Sequence, residues 1–294
     1  MEEKIVLLDC TLRDGAYITE SHFGTPAIKG IIKKLQEARV DIIEIGWLKD
    51  KPHEEGTSFF HVPGDAVPYL VERSSRATYV AMIDWDRYDT EQLPPCDGTS
   101  INAVRVVFPH GKHREGIAVA KKIREKGYQV FLQAANTMAY SNADLEELVA
   151  EVNAFSPVAL SVVDTFGAMY AEDLERIVSV MDAKLDKAVG LGFHSHNNQQ
   201  LSFALTIRFI DLLETSGRTV MVDASLCGMG RGAGNATTEL VASYLNRKKH
   251  GNYDLDAILE IAPYEPQFLS ERGQVANGQK DFATSGRIFN RLTE

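Results

Sequence analysis

The stretch Val189-Gly190-Leu191-Gly192-Phe193-His194-Ser195-His196-Asn197-Asn198 is an apolar run that ends in two histidines. Side chains two apart on a strand project to the same face, so His194 and His196 can offer two imidazoles to one divalent cation. Two polar residues finishing a strand would look the same, so the pattern gains weight only from what surrounds it. Short runs rich in β-branched residues recur at Ile5 to Leu8, Asp41 to Ile45, Thr78 to Ile83, Ala103 to Phe108, Gln129 to Gln133, Val158 to Val163 and Thr219 to Asp223. With Val189 to His194 they make eight strands. Helical periodicity follows most of them, at about 26 to 38, 113 to 126, 143 to 154, 170 to 185, 199 to 213 and 235 to 248, while two expected helices stay obscure.

Near-continuously apolar strands joined by crossover helices predict an α/β fold. Eight such units suit a closed (β/α)8 TIM barrel with its active site at the C-terminal ends of the strands, and a doubly wound sheet is the alternative. Asp9, Glu44, Asn136, Asp164, His194 and Asp223 all fall at or near the C-terminal ends of different strands, which converge on one mouth in a barrel. The barrel is expected over residues 1–262, with 263–294 a tail acting as cap or interface arm. The proline- and glycine-bearing segment from Trp47 to Arg76 reads as a long loop over the mouth.

Composition narrows the function classes. At 44% hydrophobic and 24% charged residues the chain can bury a sizeable core, which excludes wholesale disorder. A formal net charge of -10 makes nucleic acid a poor partner. Three cysteines, Cys10, Cys96 and Cys227, show no C-x-x-C spacing and suit a reducing cytoplasm. Met1-Glu2-Glu3-Lys4 runs directly into the first strand without the profile of a signal peptide, and no apolar run is long enough to span a membrane.

Two further segments carry chemistry. Leu7-Leu8-Asp9-Cys10-Thr11-Leu12-Arg13-Asp14-Gly15 takes a strand into a charged turn, where Asp14 can supply a hard oxygen ligand and Arg13 can stabilise enolate charge. A simple ion pair is the plainer reading. Asp223-Ala224-Ser225-Leu226-Cys227-Gly228-Met229-Gly230-Arg231-Gly232-Ala233-Gly234-Asn235 contains G-x-G-x-x-A, but too little chain follows for a dinucleotide unit. Glycine there lets backbone approach a ligand, and Asn235 is either a helix N-cap or a neutral oxygen ligand.

In their order and at these strand ends, the three segments resemble the DRE-TIM metallolyase superfamily, the metal-dependent barrels that include 3-hydroxy-3-methylglutaryl-CoA lyase, 2-isopropylmalate synthase and 4-hydroxy-2-oxovalerate aldolase. The resemblance spans roughly residues 5 to 250. It implies a divalent metal held by Asp14, His194 and His196, with Asn235 a further ligand, and it makes Arg13 the enolate-stabilising arginine. Asp164-Thr165-Phe166-Gly167 looks like the family's D-[ST]-x-G segment, which implies that Thr165 contacts a substrate carboxylate or carbonyl. Glu44 matches a mouth-facing acidic position, and His194 also borders the substrate. The bland readings are a helix cap for Thr165 and an ion pair for Glu44.

The glycine loop and the T-L-R-D-G turn look most like the 4-hydroxy-2-oxo acid aldolases. Those enzymes carry a histidine, implied to be the general base, where this chain has Tyr17. Tyr17 is the first candidate for that base by position, His22 the second, and water acidified by the cation the third. The resemblance implies an aldolase or lyase that makes or breaks a carbon-carbon bond of a 4-hydroxy-2-oxo acid, with pyruvate and an aldehyde as small-molecule partners. Mn or Mg suits the donor set, and Zn and Co also fit. The competing readings are a Claisen-type enzyme using acyl-CoA and a catalytically silent barrel that keeps its metal. The resemblance also implies a homodimer. The tail does not match the extension that pairs such aldolases with an aldehyde dehydrogenase.

Overall fold

The computed structural model describes residues 5–260. Eight parallel strands close on themselves: β1 (Ile5–Asp9), β2 (Ile42–Leu48), β3 (Thr78–Asp84), β4 (Ala103–Phe108), β5 (Gln129–Ala134), β6 (Ala159–Asp164), β7 (Gly190–Ser195) and β8 (Val220–Ala224). Closure comes from β1, which pairs with β8 from Ile5↔Val220 to Asp9↔Ala224 and with β2 at Leu8↔Ile42. This is the (β/α)8 barrel. Each expected strand is present, and most boundaries move by one residue or less. The residues from 261 onward, and with them the expected tail 263–294, lie outside the described residues.

Six helices of more than ten residues wrap the described barrel: α1 (Thr25–Glu37), α2 (His113–Glu125), α3 (Asn142–Phe155), α4 (Ala171–Lys184), α5 (Ser202–Leu212) and α6 (Thr238–Lys248). In α1 the apolar face Ala27, Ile28, Ile31, Ile32 and Leu35 is buried at the helical period. The start of α3 is set locally, because Ser141 Oγ accepts from the Asp144 N–H while the Asp144 carboxylate accepts from the Ser141 N–H. The two obscure helices are replaced by 3₁₀ turns, Pro63–Tyr69 between β2 and β3 and Thr90–Gln92 between β3 and β4. Pro68, inside the turn, explains the first, since proline lacks the N–H that a continuing α-helix needs.

The segment from Trp47 to Arg76 is less open than its composition predicts. β2 continues to Leu48, and Phe59–Phe60 forms a two-residue strand beside it, with Trp47 opposite Phe59. Residues 56–60 are buried. Gly46 makes this possible: its φ is +146°, and a Cβ there would stand 1.9 Å from the Ser58 carbonyl oxygen. The strand register shifts between Glu44 and Trp47 at the same place.

The barrel interior changes character along its axis. Val6, Leu8, Ile42, Val80, Ala103, Phe131, Ala159 and Met221 form one buried apolar cluster. One alternation further along β4, in the same inward-facing set, stands Arg105, which is fully buried. It donates to Glu44 Oε2 at 2.9 Å, to Gln133 Oε1 at 2.9 Å, and to Asp223 Oδ2. Burial works against the charge on Arg105, and the carboxylates of Asp223 and Glu44 outweigh it. This charged layer is the floor beneath the mouth.

Candidate active site

Asp14 ends the one-turn helix Thr11–Asp14 that follows β1, His194 lies in β7, and His196 follows that strand. The fold brings one ligand atom from each to within 4.8 Å of the others, and all three residues are buried. Asp14 Oδ2 is 3.9 Å from His194 Nε2 and 3.9 Å from His196 Nδ1. The imidazole planes cross at 88°.

Each donor is prepared by its neighbours. His194 Nδ1 is 3.0 Å from Asp223 Oδ2, an acceptor, so that bond assigns the proton to Nδ1 and leaves the Nε2 lone pair facing Asp14. Burial pushes His196 down to about 4, against the pull of Asp14, so its ring is neutral at pH 7 and its Nδ1 has no partner among the described residues. Burial alone would raise Asp14, but Arg13 leads a set of neighbours that hold its carboxyl down at about 2.

Asn235 is not the helix cap. Helix α6 starts at Thr238 with Thr237 at its N-cap, so Asn235 lies upstream of the cap. Its Nδ2 instead donates to Asp14 Oδ2 at 2.6 Å and to the Met229 carbonyl at 3.2 Å, and its buried Oδ1 has no partner among the described residues. Gly230 permits this approach: a Cβ there would lie 2.5 Å from Asn235 Nδ2 and 2.7 Å from Asp14 Oδ2. A carboxylate, two imidazole lone pairs and an unpartnered amide oxygen in one buried cluster are a donor set that fits a divalent cation.

Arg13 is buried and held on two sides, by Asp14 Oδ1 at 2.6 Å and by Glu44 Oε2 at 2.8 Å from its Nε. The ion-pair reading is therefore met on both sides of the guanidinium. Burial disfavours its charge, but Asp14 and Glu44 more than compensate, and it stays a cation. Its Nη2 has no partner among the described residues. Glu44 is 1% exposed, its Oε2 is shared between Arg13 and Arg105, and its Oε1 has no partner among the described residues.

Thr165 is half-buried and accepts the Asn136 N–H at 2.7 Å, leaving its hydroxyl proton free to donate. The preceding Asp164 fixes that turn by accepting from Ala168 and Met169 N–H groups. Tyr17 is 54% exposed and lines the adjoining cleft, its ring edge-on to Trp47. Burial of part of the phenol raises its pKa, against the pull of Arg13, so it is protonated near neutrality. His22 is not brought to the cluster; it is exposed, with Nε2 3.4 Å from Glu54 and Nδ1 on the Glu20 carbonyl.

Arg105 escaped the reading of the sequence. The available signal was a lone arginine inside the apolar run Ala103-Val104-Arg105-Val106-Val107-Phe108, at the alternation that faces inward. Asp223 is legible as a strand-end acid, but its grip on His194 and Arg105 is not.

Comparison with known proteins gives this site a context. The profile of a family described as HMGL-like matches residues 110–264. A 4-hydroxy-2-oxovalerate aldolase from Thermomicrobium roseum is 27% identical over 283 residues, covering 88% of this chain and 74% of that protein. An oxaloacetate decarboxylase from Mycobacterium tuberculosis is 25% identical over 266 residues, covering 87% and 75%. The N-terminal domain of a candidate aldolase from Bacteroides vulgatus superposes with a TM-score of 0.78 at 25% identity, covering 98% of this chain and 96% of that one. A hydroxymethylglutaryl-CoA lyase from Pseudomonas aeruginosa shares the fold, with a TM-score of 0.72 at 16% identity over 97% and 98% of the two chains. No helix among the described residues is long and apolar enough to cross a membrane.

Proposed function

Because the chain belongs to the HMGL-like family, we propose that it is a divalent-metal-dependent carbon-carbon lyase that makes or breaks a 4-hydroxy-2-oxo acid, with pyruvate and an aldehyde as the two halves. One observation carries the reading: a buried, permanently charged Arg13 keeps an unpartnered Nη2 beside the Asp14, His194 and His196 cluster. A buried donor without a partner costs about 1–3 kcal/mol, so its retention argues for an anionic ligand.

Asp14, His194 and His196 would hold the ion, with Asn235 Oδ1 as a further oxygen, and Mn or Mg suits that set. When bound, such an ion supplies Lewis-acid polarisation of the 2-keto oxygen. In the cleavage direction the 4-hydroxyl proton passes to solvent water, the C3–C4 bond breaks, the aldehyde leaves, and the electron pair passes into the enolate of pyruvate. Arg13 offsets the negative charge that grows on the enolate oxygen, and Glu44 and Asp14 hold its guanidinium in place so that no reorganisation is needed at that moment. Tyr17, protonated near neutrality, would donate a proton to C3 to complete pyruvate and regain one from solvent. Thr165 offers a hydroxyl to the substrate carboxylate.

The same tyrosine favours a second reading. Decarboxylation of a 2-oxo diacid such as oxaloacetate also ends in the pyruvate enolate, but the leaving carbon dioxide needs no base, only charge stabilisation and a proton donor. A protonated Tyr17 where the aldolases carry histidine suits that demand.

The test begins with exchange of the pyruvate C3 protons, read by mass spectrometry in D2O with Mn or Mg added to the purified protein. Exchange that needs metal, with near-stoichiometric metal lost in His196→Ala, is the expected result. Absence of exchange at any metal loading would overturn both readings. Turnover of 4-hydroxy-2-oxopentanoate against oxaloacetate then separates them.

A further inference from the structure

A cleft of about 440 Å³ opens beside Tyr17, and the mechanism above leaves most of its charge unused. Its wall carries Trp47, Lys49, Lys51, Asp84 and Arg87. The Lys49 N–H donates to the Phe60 carbonyl at 2.9 Å, so the backbone after β2 is fixed and its two lysines emerge at set positions. Their ammonium groups converge on aromatic faces: Lys49 Nζ is 5.8 Å from the Trp47 ring centre and 5.7 Å from that of Phe59, and Lys51 Nζ is 3.5 Å from Phe59.

Arg13 is also 5.8 Å from the Trp47 ring centre, so one indole ring neighbours both the enolate-stabilising cation and Lys49. The Trp47 Nε1–H donates to the Arg13 carbonyl at 3.0 Å, which locks that ring against the reaction centre. Trp47 thus borders both the cleft and Arg13, so the cleft adjoins the site.

The carboxylates in the wall leave the lysines largely uncommitted. Asp50 accepts from the Asp89 N–H at 3.0 Å and from Gln92 Nε2 at 2.8 Å, which ties it to the neighbouring loop. Asp84 is half-buried and is the acid that most directly opposes the positive charge, with Arg87 as its strongest counter-charge. Among the described residues neither Lys49 nor Lys51 forms an ion pair. Lys49 is half-buried, and that burial lowers its pKa below the ordinary lysine value, with Lys51 adding repulsion. A solvated surface lysine carries no such strain, whereas a bound anion would relieve it.

We infer that this cleft is an anion subsite for the distal end of the substrate, so that the aldehyde half of the reaction carries a carboxylate or a phosphate rather than a plain alkyl chain. Two ammonium groups over Phe59 and the guanidinium of Arg87 would hold the anion, while Trp47 and Tyr17 line the passage for the carbon chain. The inference takes its aldehyde from the lyase reading and its anion from the cleft alone.

The two can be tested apart. For metal-loaded full-length protein with pyruvate as donor, kcat/KM is compared for 4-oxobutanoate against butanal and for glyceraldehyde 3-phosphate against glyceraldehyde. The expected result is a preference of at least about tenfold for one charged member, as charge-assisted contacts provide, weakened by added salt and abolished in the Lys49→Met/Lys51→Met variant. Which pair shows it distinguishes carboxylate from phosphate. Parity within both pairs, or a preference that survives in the double variant, would overturn the inference. A second measurement does not depend on turnover. The chain has two tryptophans, so Trp85→Phe leaves Trp47 as the sole reporter in the cleft wall, to be titrated with succinate and with inorganic phosphate. A saturable fluorescence change lost in the double lysine variant supports the subsite even if pyruvate exchange fails. No saturable change with either anion, alongside normal pyruvate exchange, overturns the subsite and leaves the lyase reading standing.

Discussion

Asp9 and Asp14 are separated by a single turn of chain at the end of β1, both are sealed from solvent, and their carboxyl groups are driven in opposite directions. Burial pushes Asp9 up to about 6, although the Thr238 hydroxyl at 2.6 Å and the Thr11 N–H at 2.9 Å both donate to it. The same burial acts on Asp14, yet Arg13, His196, His194 and the Asn235 amide hold it at about 2. Hydrogen bonds from neutral donors offset only part of the desolvation of a carboxylate; a cation in contact reverses it. Asp9 is thus a structural acid near its titration point, and Asp14 is a permanent anion ready to accept a cation.

Removing the cation that separates the two aspartates is the hardest blow. Arg13→Met should lower metal-dependent deuterium exchange into pyruvate by about 10²–10³-fold, the usual cost of losing a preorganised charge stabiliser. A loss below tenfold would mean that Arg13 serves the fold more than the chemistry.

Asp9 sharpens the comparison from the other side. Its folded-state value of about 6 lies above the ordinary 3.8, so between those values the native protein binds more protons than the unfolded chain. Stability from this group is therefore present below about pH 4 and is lost as pH rises through 6, amounting to about 3 kcal/mol at roughly 1.4 kcal/mol per pH unit of separation. Urea unfolding of wild type and Asp9→Asn at pH 4 and pH 7 should show the variant gaining about that much relative to wild type at the higher pH. A pH-independent difference would mean that Asp9 is ionised throughout.

The smallest effect is expected one shell away. Asp223→Asn can present an amide N–H to His194 Nδ1 and so favour the tautomer whose Nε2 carries the proton. Mn affinity, measured by calorimetry, should weaken by about 10–100-fold while the barrel persists. Unchanged affinity would show that His194 finds its tautomer without Asp223.

The strand-end motifs were legible because their chemistry is local. Arg13 and Asp14 share one turn, and His194 and His196 share one strand face, so spacing alone puts each pair on one side. Glu44 was legible as an acid near the mouth but not as the buried hinge between Arg13 and Arg105, since its partners come from 31 residues upstream and 61 downstream. Tyr17 ranked ahead of His22 by position alone, and only the fold turned His22 to Glu54 and set Tyr17 against Trp47. Gly46 illustrates the limit best: a run of loop-forming residues hid a buried strand pair that only one glycine's backbone freedom allows.

By itself the sequence determined the alternation of strands and helices, the barrel they close into, and the donor types at its mouth, because period, burial preference and ligand chemistry are properties of short segments. Only the tertiary structure decided which carboxylates are paired. It placed Arg105 between Glu44 and Asp223, left one nitrogen of Arg13 and one oxygen of Asn235 without partners among the described residues, and set Lys49 beside Trp47 and Lys51 over Phe59. Charges in a buried site act over a few ångströms of space, and separation along the chain carries no record of that distance.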